Sequence, residues 1–305
     1  MNGILIIDKP AGLTSHDVVD RVRRLLGQRS VGHLGTLDPA ATGVLPLAIG
    51  SLTRLAQFYT KSEKVYEGII RFGFATDSYD ADGEPLGPAQ PVLFHLDNLR
   101  AAAAQFTGSI EQMPPRFSAK KIQGVPAYKL ARKNQDFELK PVQVEISELE
   151  ILSFESDRAL FRARVSSGTY MRSLAHDLGQ QLGCGAHLET LRRTSVAEFQ
   201  MDDAHTLEQL EATIKFQRAS DPFVHPRKLL PTFPSVTATE ENAAYIRAGR
   251  PVNLPELSRA KLVKVFFGQT ELIAIATRIA GTLFHPGIVF VTEPAEALAE
   301  RESSR

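Results

Sequence analysis

Gly32-His33-Leu34-Gly35-Thr36-Leu37-Asp38-Pro39-Ala40-Ala41-Thr42-Gly43-Val44-Leu45-Pro46 carries the densest signal in the sequence. Taken alone, Asp-Pro reads as a helix N-cap followed by proline at the first helical position. Gly43 and Pro46 would interrupt such a helix within about two turns. The segment therefore reads as an irregular excursion whose apolar residues follow no clean period. Its glycines, with Gly50 just beyond, allow backbone to approach a ligand closely. It carries one carboxylate, Asp38, and one imidazole, His33. As an isolated residue, His33 is a turn histidine.

Upstream, residues 3–8 form a short apolar strand stopped by Lys9-Pro10-Ala11-Gly12. Thr14 or Ser15 can cap a helix beginning near Asp17 and ending at Gly27. Downstream, Tyr66, Gly68, Ile70, Phe72 and Phe74 alternate with Glu67 and Arg71, the pattern of a half-buried strand. A turn at Asp80–Gly83 and a helix over Leu96–Phe106 follow. Val142–Leu152 and Ala159–Val165 predict strands that pair antiparallel, and Leu174, Leu178 and Leu182 predict a helix over Met171–Leu182 closed by Gly183. Strands and helices mix without regular βαβ alternation, which predicts an α+β fold. No repeat of solenoid period is present.

Pro222, Pro226, Pro231 and Pro234 crowd one segment, which reads as a linker and divides the chain near residue 230. Beyond it lie a helix over Glu240–Ala248, β-rich runs at Leu262–Phe267 and Glu271–Ala276, and a strand at Gly287–Val291. From Glu293 onward the tail is polar and expected to fray.

The chain has 305 residues, a length that suits two domains and a substantial core. Its single cysteine, Cys184, excludes an intramolecular disulfide and a multi-cysteine zinc site and suits a reducing compartment. No apolar run approaches the roughly 20 residues of a membrane span, and no basic region precedes the short Ile4–Ile7 run as in a signal peptide. These features predict a soluble, cytoplasmic protein. Lys plus Arg and Asp plus Glu both number 35, so the formal charge is zero, which argues against a general polyanion binder.

That zero hides a local asymmetry. Arg116, Lys120, Lys121, Lys129, Arg132 and Lys133 are six cations in a stretch without an acid, with Phe117 and Tyr128 interleaved. Pro114, Pro115, Gly124 and Pro126 disfavour one continuous helix there. Such a segment can contact nucleic acid through phosphates and base faces; on charge alone a solvated loop is the commoner explanation. Tyr66 stands in a strand, where a core tyrosine is the ordinary explanation; the functional reading needs its ring to stack on a planar substrate and its hydroxyl to exchange a proton, and a free phenol is a weak base near neutrality. Arg172 opens a helix, where a cation opposes the helix dipole; it is either exposed or meets a carboxylate or phosphate.

Other signals fail. Ser78–Ala89 has the acids and glycine of a calcium loop at its third, fifth and sixth positions, but it lacks the first and twelfth ligands. His176-Asp177 has no histidine partners at metal-ligand spacing, and neither a Walker loop nor a dinucleotide glycine fingerprint occurs. The residues predict no metal and no cofactor.

Together, several segments resemble the TruB family of bacterial tRNA pseudouridine-55 synthases. They are Lys9-Pro10, the His33–Pro46 stretch, Lys64-x-Tyr66, Thr76-Asp77-Ser78-x-Asp80, Pro114-Pro-x-Phe-Ser-Ala-x-Lys121, Gly168-Thr-Tyr-x-Arg172 and Leu191-Arg-Arg193. The resemblance runs in order over roughly residues 3–199. Beyond about 234 it continues only as a pattern similar to a PUA-like RNA-binding domain.

The resemblance implies a mixed, largely antiparallel pseudouridine-synthase sheet core with flanking helices (residues 1–230), and a small β-rich PUA-like domain (231–305). It implies isomerisation of uridine-55 in the T loop of tRNA, with no cofactor. Asp38 would be the nucleophile or base, and Arg172 would pair with it. Tyr66 would stack on the target base, Tyr170 and Leu191 would wall the uracil pocket, and His33 would fill the space left by the extruded base. Arg116, Lys120, Lys121, Lys129 and Arg132 would belong to a thumb, inserted over about 112–135, that closes on the T arm. The thumb departs from the family pattern at Ala131–Gln135, where a glycine is expected. The partner implied is tRNA alone, with no membrane, no obligatory protein partner and a monomeric state. A guide-RNA-dependent synthase and a non-catalytic tRNA-binding module are the competing hypotheses.

Overall fold

The computed structural model describes residues 1–118, 120–133, 135–216 and 222–290. The chain opens with β1 (Gly3–Lys9), α1 (Ser15–Leu26), β2 (Val31–His33), β3 (Thr42–Ile49), a short α2 (Ala56–Tyr59) and β4 (Lys64–Phe72). Then come α3 (Leu96–Ala104), β5 (Gly108–Gln112), a hairpin of β6 (Lys121–Ile122) and β7 (Val125–Pro126), and α4 (Ala127–Ala131). The main sheet continues with β8 (Val142–Glu155), β9 (Arg158–Val165), α5 (Met171–Gln181), β10 (Ala186–Val196), β11 (Phe199–Gln200) and α6 (Leu207–Lys215). The remainder is β12 (Ser235–Ala238), α7 (Glu240–Arg247), β13 (Val252–Asn253), β14 (Leu262–Phe267), β15 (Glu271–Ala280) and β16 (Leu283–Val289).

The first sheet runs β1-β3-β10-β4-β9-β8-β5, with β2 on β3 and β11 on β10. Every pairing in it is antiparallel except β3 with β10. The fold is thus the expected α+β arrangement with a largely antiparallel sheet. Helices α1, α3 and α5 close one face, burying Val19, Leu99, Leu174 and Leu178 against Ile7, Phe72 and Phe161.

Local chemistry accounts for the elements. Thr14 caps α1, with its hydroxyl accepting from the Asp17 amide at 3.0 Å and the Asp17 carboxylate accepting from the Thr14 amide at 2.8 Å. The helix starts at Ser15 rather than near Asp17 and ends, as expected, at Gly27, which is left-handed with φ 58°. In β4 the expected alternation holds, burying Tyr66, Gly68, Ile70 and Phe72. The strand β3, which lies inside the stretch read as aperiodic, is buried on both faces and so shows no period of two.

The Pro222–Pro234 segment is a correction. It is not a free linker: Leu229 and Leu230 are buried in an apolar cluster with Tyr59 and Phe199 on one side and Phe266 and Phe290 on the other. Proline content fixes φ but does not decide whether a segment is solvated. Beyond it, a second sheet of order β12-β14-β15-β16-β13 carries α7. The expected strand at Gly287–Val291 overlaps only the end of β16, which runs Leu283–Val289 and leaves Phe290 outside it; Val291 and the polar tail lie outside the described residues.

Candidate active site

Asp38 sits in the connection between β2 and β3, and buried cations hold that connection in place. Arg193, 0% exposed, donates from Nε to the Val44 carbonyl (2.8 Å), from Nη1 to Thr36 (3.1 Å) and from Nη2 to Gly35 (3.1 Å). Lys9, also fully buried, donates to the carbonyls of Leu13 (2.7 Å), Pro10 (2.8 Å) and Pro39 (3.0 Å). Burial pulls the Lys9 ammonium down to about 8, with Asp38 opposing that shift. The Ser15 hydroxyl accepts from the Leu37 amide at 2.8 Å. The loop thus presents Asp38 from a fixed backbone while leaving its carboxylate 48% exposed.

Arg172 occupies the first turn of α5 and is buried. Its Nη2 lies 3.0 Å from Asp38 Oδ2 and its Nη1 3.2 Å from Asp80 Oδ2. It also donates to the Phe117 carbonyl at 2.9 Å and to the Ser78 carbonyl at 3.3 Å. Two carboxylates and two carbonyls around one guanidinium offset the unfavourable end of the helix dipole. This is the carboxylate-meeting arginine of the two alternatives.

A cavity of about 280 Å³ opens beside this pair, and its walls include Asp38, Arg172, Tyr66, Tyr170 and Leu191. Five of the six expected pocket residues are thus brought together. His33 is not: it ends β2 outside the lining, and among the described residues its Nδ1 is buried without a hydrogen-bond partner. Burial, with Arg193 adding to it, holds this imidazole below its ordinary value. Burial pushes the Tyr170 phenol up.

The basic segment is rooted at the same place. Gln112 clamps the Tyr170 backbone, accepting from its amide at 2.7 Å and donating to its carbonyl at 3.0 Å. The Ser173 hydroxyl donates to the Met113 carbonyl at 2.6 Å. Beyond this root the chain forms the β6–β7 hairpin and the short α4 rather than one helix, as Gly124 and Pro126 require. Arg116, Lys121, Lys129 and Arg132 are exposed there. Arg116 lies over the Phe137 ring (5.1 Å), Arg132 over Tyr128 (5.6 Å), and Lys120 donates to the Lys140 carbonyl at 2.8 Å. Residue 134, within the departure noted above, lies outside the described residues.

Sequence reasoning assigned no role to Asp80, Arg193, Lys9 or Lys64. Asp80 stood in a failed calcium loop, yet its turn is bridged to Leu188 of β10 and so faces Arg172. The signal available for the cations was a basic residue bordering or interrupting an apolar strand. Among the described residues no cluster of three or more His, Cys, Asp or Glu could hold a metal.

Residues 23–171 match the family model for the N-terminal domain of TruB family pseudouridylate synthases, and residues 172–232 match that for the tRNA pseudouridylate synthase B C-terminal domain. A relative named tRNA pseudouridine synthase B, from Solibacter usitatus (strain Ellin6076), is 52% identical over 95% of this chain and 100% of its own length. Its namesake from Geobacter sulfurreducens (strain ATCC 51573 / DSM 12127 / PCA) is 38% identical over 92% of this chain and 95% of its own. Among solved structures, a chain of a Cbf5-Nop10-Gar1 complex superposes with a TM-score of 0.69 at 26% identity, covering 96% of this chain and 84% of that one. A chain of an H/ACA RNP bound to a substrate RNA containing 2′-deoxyuridine gives 0.70 at 24% identity, over 95% and 85%, and shares the fold.

Proposed function

The chain belongs to the TruB family of pseudouridylate synthases and is an isomerase acting on tRNA, and we propose that its target is uridine-55 in the T loop. The observation that carries this proposal is the 3.0 Å Asp38–Arg172 pair at the wall of a cavity shared with Tyr66, Tyr170 and Leu191. The reaction breaks the N1–C1′ bond, turns the uracil and joins C5 to C1′; C5 loses a proton and N1 gains one. Atoms and electrons balance without a cofactor.

Asp38 acts as nucleophile or base. Attack on the sugar, attack on the uracil and a glycal route all require the same oriented carboxylate, which Arg172 holds through one oxygen. Tyr66 offers its ring as a stacking surface and its hydroxyl for proton exchange, while Tyr170 and Leu191 restrict the turning base. The target base must be extruded first, at a cost of a few kcal/mol. His33, standing outside the cavity, suits the space that base leaves in the loop. Arg116, Lys120, Lys121, Lys129 and Arg132 grip the T arm as a thumb. The protein is proposed to be a cytoplasmic monomer without an obligatory partner, and residues 231–305 to be a PUA-like RNA-binding domain. Among the described residues no helix is long and apolar enough to cross a membrane.

The likeness to a chain of a Cbf5-Nop10-Gar1 complex keeps the guide-RNA-dependent hypothesis as a second reading. The thumb favours autonomy, because a stand-alone enzyme must hold its own substrate. Purified protein incubated with unmodified tRNA should form pseudouridine at position 55 without guide RNA; none without added RNA or protein sinks autonomy. Asp38→Asn should lower the single-turnover rate by at least about 1,000-fold and leave tRNA affinity within about threefold, since it removes charge but little shape. Unchanged product formation would overturn the Asp38 assignment.

A further inference from the structure

The cavity is lined by one cation that the chemistry above does not use. Lys64 stands two residues before Tyr66 on β4, on the same face of the strand, and lines the cavity while only 8% exposed. Among the described residues its only side-chain hydrogen bond runs from Nζ to the Ser62 carbonyl, at 2.7 Å, so two of the three ammonium N–H donors are uncommitted. No described carboxylate pairs with it. The neighbouring cations are already compensated: Arg172 is shared between Asp38 and Asp80, and Arg193 gives its donors to backbone carbonyls.

We infer that Lys64 is a substrate-binding residue whose ammonium takes a backbone phosphate flanking the uridine that enters the cavity. The inference rests on the tRNA reading above. The base and ribose of a nucleotide are neutral, and its phosphodiester is the anion it brings. Residues two apart on a strand are separated by about 6.6–6.8 Å, comparable with the span from a nucleobase to its own phosphate. A base stacked on Tyr66 therefore places a phosphate within reach of Lys64. Burial, with Arg193 adding to it, pulls the Lys64 ammonium down to about 8. A cation held among few partners beside a like charge gains when an anion arrives. The competing explanation is that Lys64 only ties down the Ser62 carbonyl.

A chemical double-mutant cycle separates the two. The substrates are a T-arm RNA and two copies with a neutral methylphosphonate, placed either 5′ or 3′ of the target uridine. One of the two neutral linkages should cost the wild-type protein about 10- to 100-fold in kcat/KM, carried by KM. Lys64→Gln should lose a similar factor on the all-phosphate arm, and Lys64→Arg should restore most of it. Combining Lys64→Gln with the sensitive linkage should cost no more than either change alone. The inference is overturned if the wild-type protein is indifferent to both linkages, a result that needs no variant to fold. It is equally overturned if the two losses multiply. Failure of the wild-type protein on the all-phosphate arm sinks the tRNA reading, and this inference with it; success there with independent losses sinks this inference alone.

Discussion

A guanidinium shared between two carboxylates is a directional device, and Arg172 uses its fork that way: Nη2 faces Asp38 and Nη1 faces Asp80. A lysine carries the same charge without the fork. Arg172→Lys should therefore lower kcat roughly 100-fold or more while changing KM less, as expected when an oriented group acts in the transition state. An equal loss in KM alone would count against this. Away from the site, burial raises Asp177 on α5 to about 6, against an unfolded value of 3.8. The native state then binds more protons than the unfolded chain between about pH 4 and 6, so stability falls as pH rises through that window. Asp177→Asn should remove the fall: equal melting near pH 4, and a gain of about 1 kcal/mol at pH 7–8, reduced because the side chain is partly solvated. Melts showing no pH-dependent difference would refute it. Residues that act by pattern were visible in the sequence, such as Asp38 on its glycine-rich excursion and Arg172 at a helix start. Arg193 was not, because its role depends on partners brought in by folding: it meets carbonyls 149 to 158 residues away. Nor was Lys64, whose side chain bonds only nearby Ser62 but which folding places in the cavity wall beside segments distant in sequence.

Elements differ in legibility for a related reason. One face of β4 is buried, so its period of two shows in the sequence, whereas β3 is buried throughout and conceals its own. What β3 does reveal is Gly43. There φ is +102°, and a Cβ would stand 2.2 Å from the Arg193 carbonyl oxygen across the parallel β3–β10 pairing. That pairing joins the strand after Asp38 to the strand carrying Leu191 and Arg193. Gly43→Ala should therefore destabilise by about 2–4 kcal/mol, combining backbone strain with steric overpacking. It should also lower activity more than its Tm accounts for at the assay temperature; a wild-type Tm would show the pairing tolerates a side chain. The thumb is legible in charge but not in form, since two-residue strands have no measurable period. Lys121 is exposed, while Lys120 must leave the Lys140 carbonyl to reach RNA. Replacing both by Ala should flatten the dependence of log affinity on log salt by about one to two units. An unchanged slope removes these two lysines from the RNA contact.

At the scale of the molecule, zero net charge is compatible with the proposed localised RNA grip because ion pairs sequester charges along β4, β9 and β10. Arg158, Arg162 and Arg164 pair there with Glu189, Glu67 and Glu63. The thumb, free of acids from Arg116 to Lys133, keeps its field. The division near residue 230, legible as a proline cluster, marks a change of sheet but not a break in the core. Phe266 and Phe290 share one apolar cluster with Ile4, Tyr59 and Phe199. The cluster carries a buried polar seam as well. Glu198 accepts from the Tyr59 hydroxyl and, at 2.8 Å, from the Leu230 amide. Lys264 donates to the carbonyls of Leu229 (2.6 Å) and Arg227 (3.0 Å). Neither sheet can leave without exposing the cluster and stranding these groups, each costing roughly 1–3 kcal/mol if left unpaired. The chain should therefore melt in a single calorimetric transition. Phe266→Ala, which leaves a cavity in the shared cluster, should lower that whole transition by about 3–5 kcal/mol of stability. If instead the variant splits the melt, so that an early transition moves while the catalytic sheet keeps its wild-type Tm, the sheets are separate folding units and the shared cluster is only a contact between them.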